Sequence, residues 1–153
     1  MDRADTTRLA ADVVEPMVTG ARALVTDGTS VLLVQERNRV WNLPGGGLAE
    51  ADRLGAMEAL EACARRELFE EPGIALTHFE RMSDAERNAV YVAMCQRLSW
   101  SEIKAAYRRR RPTTEIRGVW WGALEAALEE PSVDDRAKIA LTMWCSRSRR
   151  LWA

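Results

Sequence analysis

Three glutamates crowd the end of one predicted helix, in the sequence RRELFEEPGI from Arg65 to Ile74. From Gly55 to Glu71 the spacing of apolar residues predicts a helix with one buried stripe. The residues of this stripe are Met57, Leu60, Ala64 and Leu68. On an ideal helix, Glu70 and Glu71 lie about 60° and 40° to either side of Glu67, so the acids overlap the stripe. A chain with this segment must therefore fold so that three neighbouring carboxylates become half-buried.

The position of these acids is unfavourable, which indicates that a cation offsets their charge. They repel one another at i, i+3 and i+4, and they lie at the negative end of the helix dipole. Burial without a partner adds to the free-energy cost of each charge. Mg²⁺ prefers carboxylate oxygens and commonly shares its coordination with substrate phosphates. Arg66 is spaced to pair with Glu70, and Gly45–Gly47 bring backbone groups just upstream, so the pattern predicts a metal site rather than a solvated acidic surface.

The rest of the chain alternates between strand and helix patterns. The predicted strands are MVTGARALVT and SVLLVQER, which flank the hairpin signal Asp27-Gly28, then IALTHFERM, NAVYVAMCQRL and EIRGVWWG. The predicted helices are SWSEIKAAYRRRR, with Ser99-x-x-Glu102 as a capping box, then GALEAALEE and VDDRAKIALTMWCSR, opened by Asp134 or Asp135. The breaker-rich WNLPGGG is predicted to be a loop. This order predicts an α/β fold in which a mixed sheet carries helices on both faces.

Length and composition limit the classes of protein that fit. The 153 residues suit one compact domain, with residues 1–16 predicted to be an N-terminal extension and residues 17–153 a single domain. The net charge of −1 gives no field that favours nucleic acid or a membrane surface. The N-terminus has no apolar run that could form a signal peptide or a membrane span. Three dispersed cysteines and a single histidine, His78, predict a cytoplasmic protein with reduced thiols, without a zinc site or a histidine-based catalytic triad.

The residues Arg66–Ile74, RELFEEPGI, resemble the core of the Nudix box, R-E-U-x-E-E-x-G-U, in which U is a bulky aliphatic residue. The full family pattern is G-x5-E-x7-R-E-U-x-E-E-x-G-U, and Glu58 has the x7 spacing before Arg66. SVLLVQER, WNLPGGG and EIRGVWW resemble the flanks of the box, so the similarity spans about Val18 to Glu130. The resemblance implies a Nudix-type α/β/α sandwich with a central mixed β-sheet.

Two features depart from the family pattern. Eleven residues separate Gly46 from Glu58, whereas the pattern has five, so the loop before the helix is longer by six residues. Glu58 is continuous with the helix, although Glu50 or Asp52 takes its place if the insertion follows them. Pro72 occupies the variable position of the box and biases the glutamate before it away from helical geometry.

The resemblance implies hydrolysis of the diphosphate linkage in a nucleoside diphosphate joined to another group. The implied ligands of Mg²⁺ or Mn²⁺ are Glu67, Glu70, Glu71 and the carbonyl of Gly46 or Gly47. Arg66 would orient a carboxylate of the box, and either Glu67 or Glu115 would act as the general base that activates water. Glu67 is the first choice for this base.

The residues that select the substrate are indicated less clearly. The candidates are Arg37, Arg39, Trp41, Tyr91 and Arg109. Arg37 and Arg39 can meet a phosphate, and Trp41 is either a stacking surface for a base or a core residue. Tyr91 has a spacing that resembles the dinucleoside-polyphosphate branch of the family, although a tyrosine in an apolar strand is commonly core. The run Arg108–Arg111 either holds additional phosphates or is a basic helix end favoured by the dipole.

The resemblance to the Nudix family leaves more than one function open. The first is a metal-dependent pyrophosphohydrolase, and the alternatives are an (oxidised) dNTP pyrophosphatase and a non-catalytic module that senses a nucleotide. The three glutamates of the box core are all present, which favours an enzyme. The expected partner is a small nucleotide or another diphosphate compound rather than nucleic acid or a membrane, and the resemblance also allows a homodimer.

Overall fold

The computed structural model describes residues 18–48, 56–85 and 88–152. The strands are β1 Gly20–Thr26, β2 Ser30–Glu36, β3 Trp41–Asn42, β4 Gly45–Gly47, β5 Glu80–Ala85, β6 Asn88–Met94 and β7 Ile116–Ala123. The helices are α1 Ala56–Glu70, α2 Trp100–Arg109, α3 Leu124–Glu129 and α4 Asp135–Trp152. The predicted N-terminal extension, residues 1–16, lies outside the described residues, as do Glu50 and Asp52 of the inserted loop.

Strand β1 is the centre of a seven-stranded mixed sheet. It pairs in parallel with β6 along its whole length, from Gly20 opposite Asn88 onward, and antiparallel with β2 and β4. Strand β5 pairs antiparallel with β6, and β2 carries both β3 and β7. The predicted hairpin between β1 and β2 is confirmed, with Gly28 at a φ of 106°, a conformation that glycine adopts without strain.

Helices pack on both faces of this sheet. On one face, Val25 of β1 packs with Leu68 of α1 and Ile103 of α2. On the other face, Leu24 packs with Leu141 of α4, and α3 contributes to the same cluster. Successive β1 residues therefore serve opposite layers, as the period of two in a strand requires. The predicted α/β/α sandwich with a central mixed sheet is confirmed.

Two of the sequence predictions, one of a loop and one of a strand, are wrong in detail. WNLPGGG contains the short strands β3 and β4 rather than a continuous loop. Its glycines allow β4 to approach β1, because a Cβ on Gly45 would lie only 2.3 Å from the carbonyl oxygen of Ala21. In IALTHFERM, strand β5 begins only at Glu80, because Ile74 and its neighbours pack into the core beside α1 and α2 instead of pairing.

The predicted helices are confirmed, and their first turns show why they begin where they do. Ser99 precedes α2, and its Oγ accepts a hydrogen bond from the backbone N–H of Glu102 at 3.2 Å. Asp134 precedes α4, and its Oδ1 accepts from the backbone N–H of Arg136 at 2.9 Å. None of the helices in the described ranges is long and apolar enough to cross a bilayer.

Candidate metal centre

Three carboxylates meet at the end of α1. One oxygen from each of Glu67, Glu71 and Glu115 lies within 4.8 Å of the other two. Glu67 and Glu71 are only 6% and 4% exposed, whereas Glu115 is exposed and directly precedes β7. We call these three residues the glutamate cluster. Hard anionic oxygens are the donors that Mg²⁺ and Mn²⁺ prefer, so the cluster fits the divalent ion that the sequence predicts.

The glycine strand β4 positions the two buried acids. The backbone N–H of Gly45 donates to Oε1 of Glu71 at 2.9 Å. Gly46 lies directly against Glu67, because a Cβ at position 46 would come 2.9 Å from Oε1 of Glu67. The carbonyl oxygen of Gly46 lies 3.6 Å from Sγ of Cys63. Gly46 therefore reaches the cluster as bare backbone, and its role as a metal ligand stays a prediction.

Pro72 does not turn Glu71 away from the cluster. The backbone N–H of Glu71 still donates to the carbonyl of Glu67 at 2.9 Å, which is the hydrogen bond of a continuing helix. The chain then reverses at Gly73, which has a φ of 83°. The proline therefore ends α1 only after the last acid has been positioned.

Arg66 holds two of the box glutamates. Its Nη1 lies 3.1 Å from Oε1 of Glu67 and 3.2 Å from Oε2 of Glu70, as the predicted i,i+4 spacing requires. The Glu70 side chain is 51% exposed, and among the described residues it is Glu115 that joins Glu67 and Glu71. The glutamate cluster therefore contains Glu115, whereas the sequence predicts Glu70 as a ligand beside Glu67 and Glu71. Glu70 is outside the cluster because it projects toward solvent and pairs with Arg66.

Burial makes the ionised forms of these acids unfavourable. Burial raises the pKa of Glu71 to about 8, although the N–H of Gly45 favours its charged form. Burial likewise raises the pKa of Glu67 above its usual value. The guanidinium of Arg66 opposes that shift, and the negative charges of Glu70 and Glu115 add to it. A divalent cation would therefore displace protons from this site as it binds.

The metal-free protein should lose stability as the pH rises from about 5 to 8. The pKa of Glu71 is raised from 4.5 to about 8, so within this window the folded state keeps a proton that the unfolded chain releases. The unfolding free energy is therefore undiminished below about pH 4.5 and falls by up to about 1.4 kcal/mol per pH unit above it. Urea denaturation in EDTA at a series of pH values measures this slope.

The matched control is Glu71→Gln, which cannot ionise. Its unfolding free energy should depend less on pH than that of the parent protein across the same window. Mg²⁺ added to the parent protein at pH 8 should restore stability, because it binds the folded state. Parallel pH curves for the two proteins in EDTA would contradict the role of Glu71.

The predicted substrate residues do not gather around the cluster. Arg37 and Arg39 are exposed in the turn between β2 and β3, and Arg109 is exposed at the end of α2. Trp41 packs against the core that α3 and α4 form with the sheet. Tyr91 is 4% exposed within a core cluster. Their binding roles stay predictions, and the structure brings other residues to the cluster.

Two cavities bear on how a substrate could reach the glutamate cluster, although only the second is lined by one of its residues. The first, the polar cavity, has a volume of about 180 Å³, and its polar lining residues are Arg22, Glu36, Asn38, Asn42, Asn88, Asp134 and Arg136. Two of its lining residues act on Glu71 through their charge, because Arg22 lowers and Glu36 raises the pKa of that carboxyl. The second, the arginine cleft, has a volume of about 340 Å³ and contains Glu115 of the cluster. It is lined by Phe69, Glu70, Arg110, Arg111, Pro112, Thr113 and Glu115.

Sequence reasoning missed most of these lining residues. Asn42 lies beside the glycine strand, and its Nδ2 donates to Oε1 of Glu36 at 2.7 Å. Its position in WNLPGGG was a usable signal, because binding residues are common on connecting segments that a rigid scaffold positions. Arg22 and Asn88 carry no such signal, since only the pairing of β1 with β6 brings their strands together.

The fold and the glutamate cluster define an α/β/α protein with a site suited to divalent cations. The chain belongs to the Nudix family, because the family model described as NUDIX domain matches residues 16–143. This match confirms the resemblance seen in RELFEEPGI. No curated protein matches the sequence significantly.

Solved structures of Nudix proteins share the fold. The NUDIX domain of Shewanella oneidensis NrtR complexed with ADP ribose is 22% identical, with a TM-score of 0.63 over 96% of this chain and 99% of that chain. The MutT NUDIX hydrolase from Burkholderia pseudomallei is 23% identical, with a TM-score of 0.60 over 84% and 98%. Shewanella oneidensis NrtR complexed with a 27mer DNA is 22% identical, with a TM-score of 0.62 over 88% of this chain and 63% of that longer chain.

Proposed function

We propose that this protein is a metal-dependent pyrophosphohydrolase that cleaves the diphosphate linkage of a nucleoside diphosphate joined to another group. The observation that carries the proposal is the glutamate cluster, in which two of three converging carboxylates are buried. Buried acids without a full complement of cations are unfavourable, and the neighbouring Arg66 supplies only one positive charge. Membership of the Nudix family supports the same reaction.

Glu67, Glu71 and Glu115 would hold Mg²⁺ or Mn²⁺, which when bound offsets the negative charge of the diphosphate oxygens. The chain's own contribution is to orient the acids and to accept a proton. Arg66 fixes the Glu67 carboxylate at 3.1 Å, so Glu67 is positioned to take a proton from the attacking water. Water attacks phosphorus, the phosphoanhydride P–O bond breaks, and the released phosphate carries the bonding electrons away.

The polar cavity supports a nucleotide as one part of the substrate. Asn42, Asn88 and Asp134 present amide and carboxylate groups there, and such groups can hydrogen-bond the edges of a base or the hydroxyls of a sugar. Arg22 also lines the cavity and donates to the carbonyl of Leu43 at 3.0 Å. The same groups would suit a dNTP or an oxidised dNTP, so this alternative is decided by substrate comparison.

A substrate panel tests the proposed function directly. The purified protein should release phosphate-containing products from some member of a panel of nucleoside diphosphate sugars, dinucleoside polyphosphates, dNTPs and oxidised dNTPs. The release should require Mg²⁺ or Mn²⁺ and should stop when EDTA is added, because the cluster needs a cation to accept an anionic substrate. A protein that binds panel members yet cleaves none of them is not an enzyme of this kind.

The second candidate is a Nudix-fold nucleotide sensor, and the structural likeness to Shewanella oneidensis NrtR favours it. That protein was solved with ADP ribose and with a 27mer DNA. For this chain, a sensor would bind ADP ribose in calorimetry without hydrolysing it. Gel filtration at several protein concentrations, with and without ADP ribose, tests whether the protein forms the homodimer that the family resemblance allows.

A further inference from the structure

We propose that the arginine cleft binds a phosphate carried by the second group of the substrate, the group joined to the nucleoside diphosphate. The favoured substrates then have a phosphorylated sugar or a second nucleotide in that position. This inference rests on the proposed function, since it assigns the far side of the same site.

The cleft is assembled by a close contact between two helix ends. The turn after α1 packs against the end of α2, where a Cβ on Gly73 would lie 2.6 Å from the carbonyl oxygen of Ala106 and 3.0 Å from Cβ of Arg110. This contact brings Arg110 and Arg111 to the same cleft as Glu70 and Glu115. Because Glu115 belongs to the glutamate cluster, a substrate held at the cluster can extend into the cleft.

Neither arginine is neutralised by a carboxylate within the described residues, and Arg110 is held in place by its neighbours. The guanidinium of Arg110 lies 4.0 Å from the centroid of the Tyr107 ring, and its Nη1 donates to the carbonyl of Arg111 at 3.2 Å. Within the described part of the chain, no carboxylate forms an ion pair with either arginine. Guanidinium groups bind phosphate through charge-assisted hydrogen bonds. Their position beside the cluster therefore favours an anionic group on the substrate.

An aromatic surface borders the same cleft. Phe69 is 60% exposed although it belongs to α1. Covering an exposed phenyl ring with another ring is favourable, because both rings are removed from water. A group with both a phosphate and a ring would contact Phe69 and the arginines together. Among phosphate-bearing groups, this arrangement therefore favours a second nucleotide, which has both a phosphate and a ring.

The simpler explanation is a basic helix end that only complements the dipole of α2. Arg108 and Arg109 already lie in the last turn of α2 and are exposed outside the cleft. Arg110 has an extended rather than a helical backbone, with φ −65° and ψ 157°. The chain from Arg110 to Arg111 therefore no longer follows the axis of α2. Arg108 is therefore a matched control for Arg111, with the same charge in the same run of sequence.

The experiment compares Arg111→Ala with Arg108→Ala on three substrates that share one nucleoside diphosphate. The second group is a neutral sugar, a phosphorylated sugar or a second nucleotide. Arg111→Ala should lower kcat/KM about 10-fold for the two phosphate-bearing substrates, mainly through KM, because one charge-assisted hydrogen bond to phosphate is lost. The neutral-sugar substrate, and Arg108→Ala on every substrate, should change less than about 2-fold.

A binding measurement without catalysis separates this inference from the proposed function. Calorimetry in Mg²⁺ with a methylene-bridged, non-hydrolysable analogue of the phosphorylated-sugar substrate should show a Kd about 10-fold weaker for Arg111→Ala than for Arg108→Ala. Equal Kd values for the two variants overturn the assignment of the cleft, whether or not the protein is an enzyme. A weaker Kd for Arg111→Ala in a protein that cleaves none of the three substrates supports the cleft and overturns the hydrolase.

Discussion

Replacing Glu67 by glutamine should lower turnover by about 10³-fold, since general base catalysis contributes about 10²- to 10⁴-fold. Glu67 belongs to the glutamate cluster and is held by Arg66. The glutamine keeps the size of the side chain but cannot accept a proton or supply an anionic ligand. Its neutral side chain suits the buried position, where the pKa of Glu67 is already raised, so the fold should be retained. Single-turnover rates with saturating Mg²⁺ measure the effect, and circular dichroism checks the fold.

Glu61→Gln is the matched control for this variant. Glu61 lies on the same helix and pairs with Arg65 at 3.8 Å, away from the cluster, so its turnover should stay within about 2-fold of the parent. The turnover of Glu70→Gln should lie between those of Glu61→Gln and Glu67→Gln, because Glu70 contacts Arg66 but is largely exposed. A normal turnover in Glu67→Gln, with Glu115→Gln severely impaired, would make Glu115 the general base.

Replacing Gly73 by alanine should lower the unfolding free energy by about 3 kcal/mol. Part of the loss, about 1–2 kcal/mol, comes from the left-handed φ of 83°, which an L side chain adopts with strain. The rest comes from overpacking against the carbonyl oxygen of Ala106, which commonly costs about 1–3 kcal/mol. Urea denaturation of the metal-loaded protein measures the total.

Gly28→Ala separates these two causes. Gly28 also has a positive φ, 106°, but a Cβ there would meet no atom within 4 Å. Its loss of unfolding free energy should therefore be the conformational part alone, about 1–2 kcal/mol. If the two variants are equally stable, the helix ends around Gly73 are not packed as tightly as the structure indicates.

The sequence predicts that acids crowd the end of α1 because that information is local. Glu70 lies one helical turn after Arg66 and Glu67, so the spacing alone determines that Arg66 and Glu70 meet. The fold class follows from alternating strand and helix patterns. Glu115 could be proposed because it stands at the start of an obvious strand, but only the pairing of β7 with β2 brings that end of the sheet to α1.

The residues that line the two cavities could not be predicted equally well, for two physical reasons. The first is that the sequence does not determine the exact residue at which a helix ends. Helix α2 ends at Arg109, and the next two arginines line the cleft. The second is sheet register, which decides that Tyr91 faces the core while Asn88 faces a cavity. Glycine-rich WNLPGGG was predicted as a loop because glycine is usually a breaker, yet here it allows two backbones to approach each other.

The central position of β1 also bears on how this protein folds. β1 pairs with β6, whose first residue is Asn88, and with the glycine strand that supports the acids. Glu115 comes from still later in the chain. Contacts between distant segments form slowly, because the intervening loop must be closed first. During synthesis the cation site would thus be among the last features to appear, so binding of Mn²⁺, followed by its paramagnetic signal, would report that the chain has completed its fold.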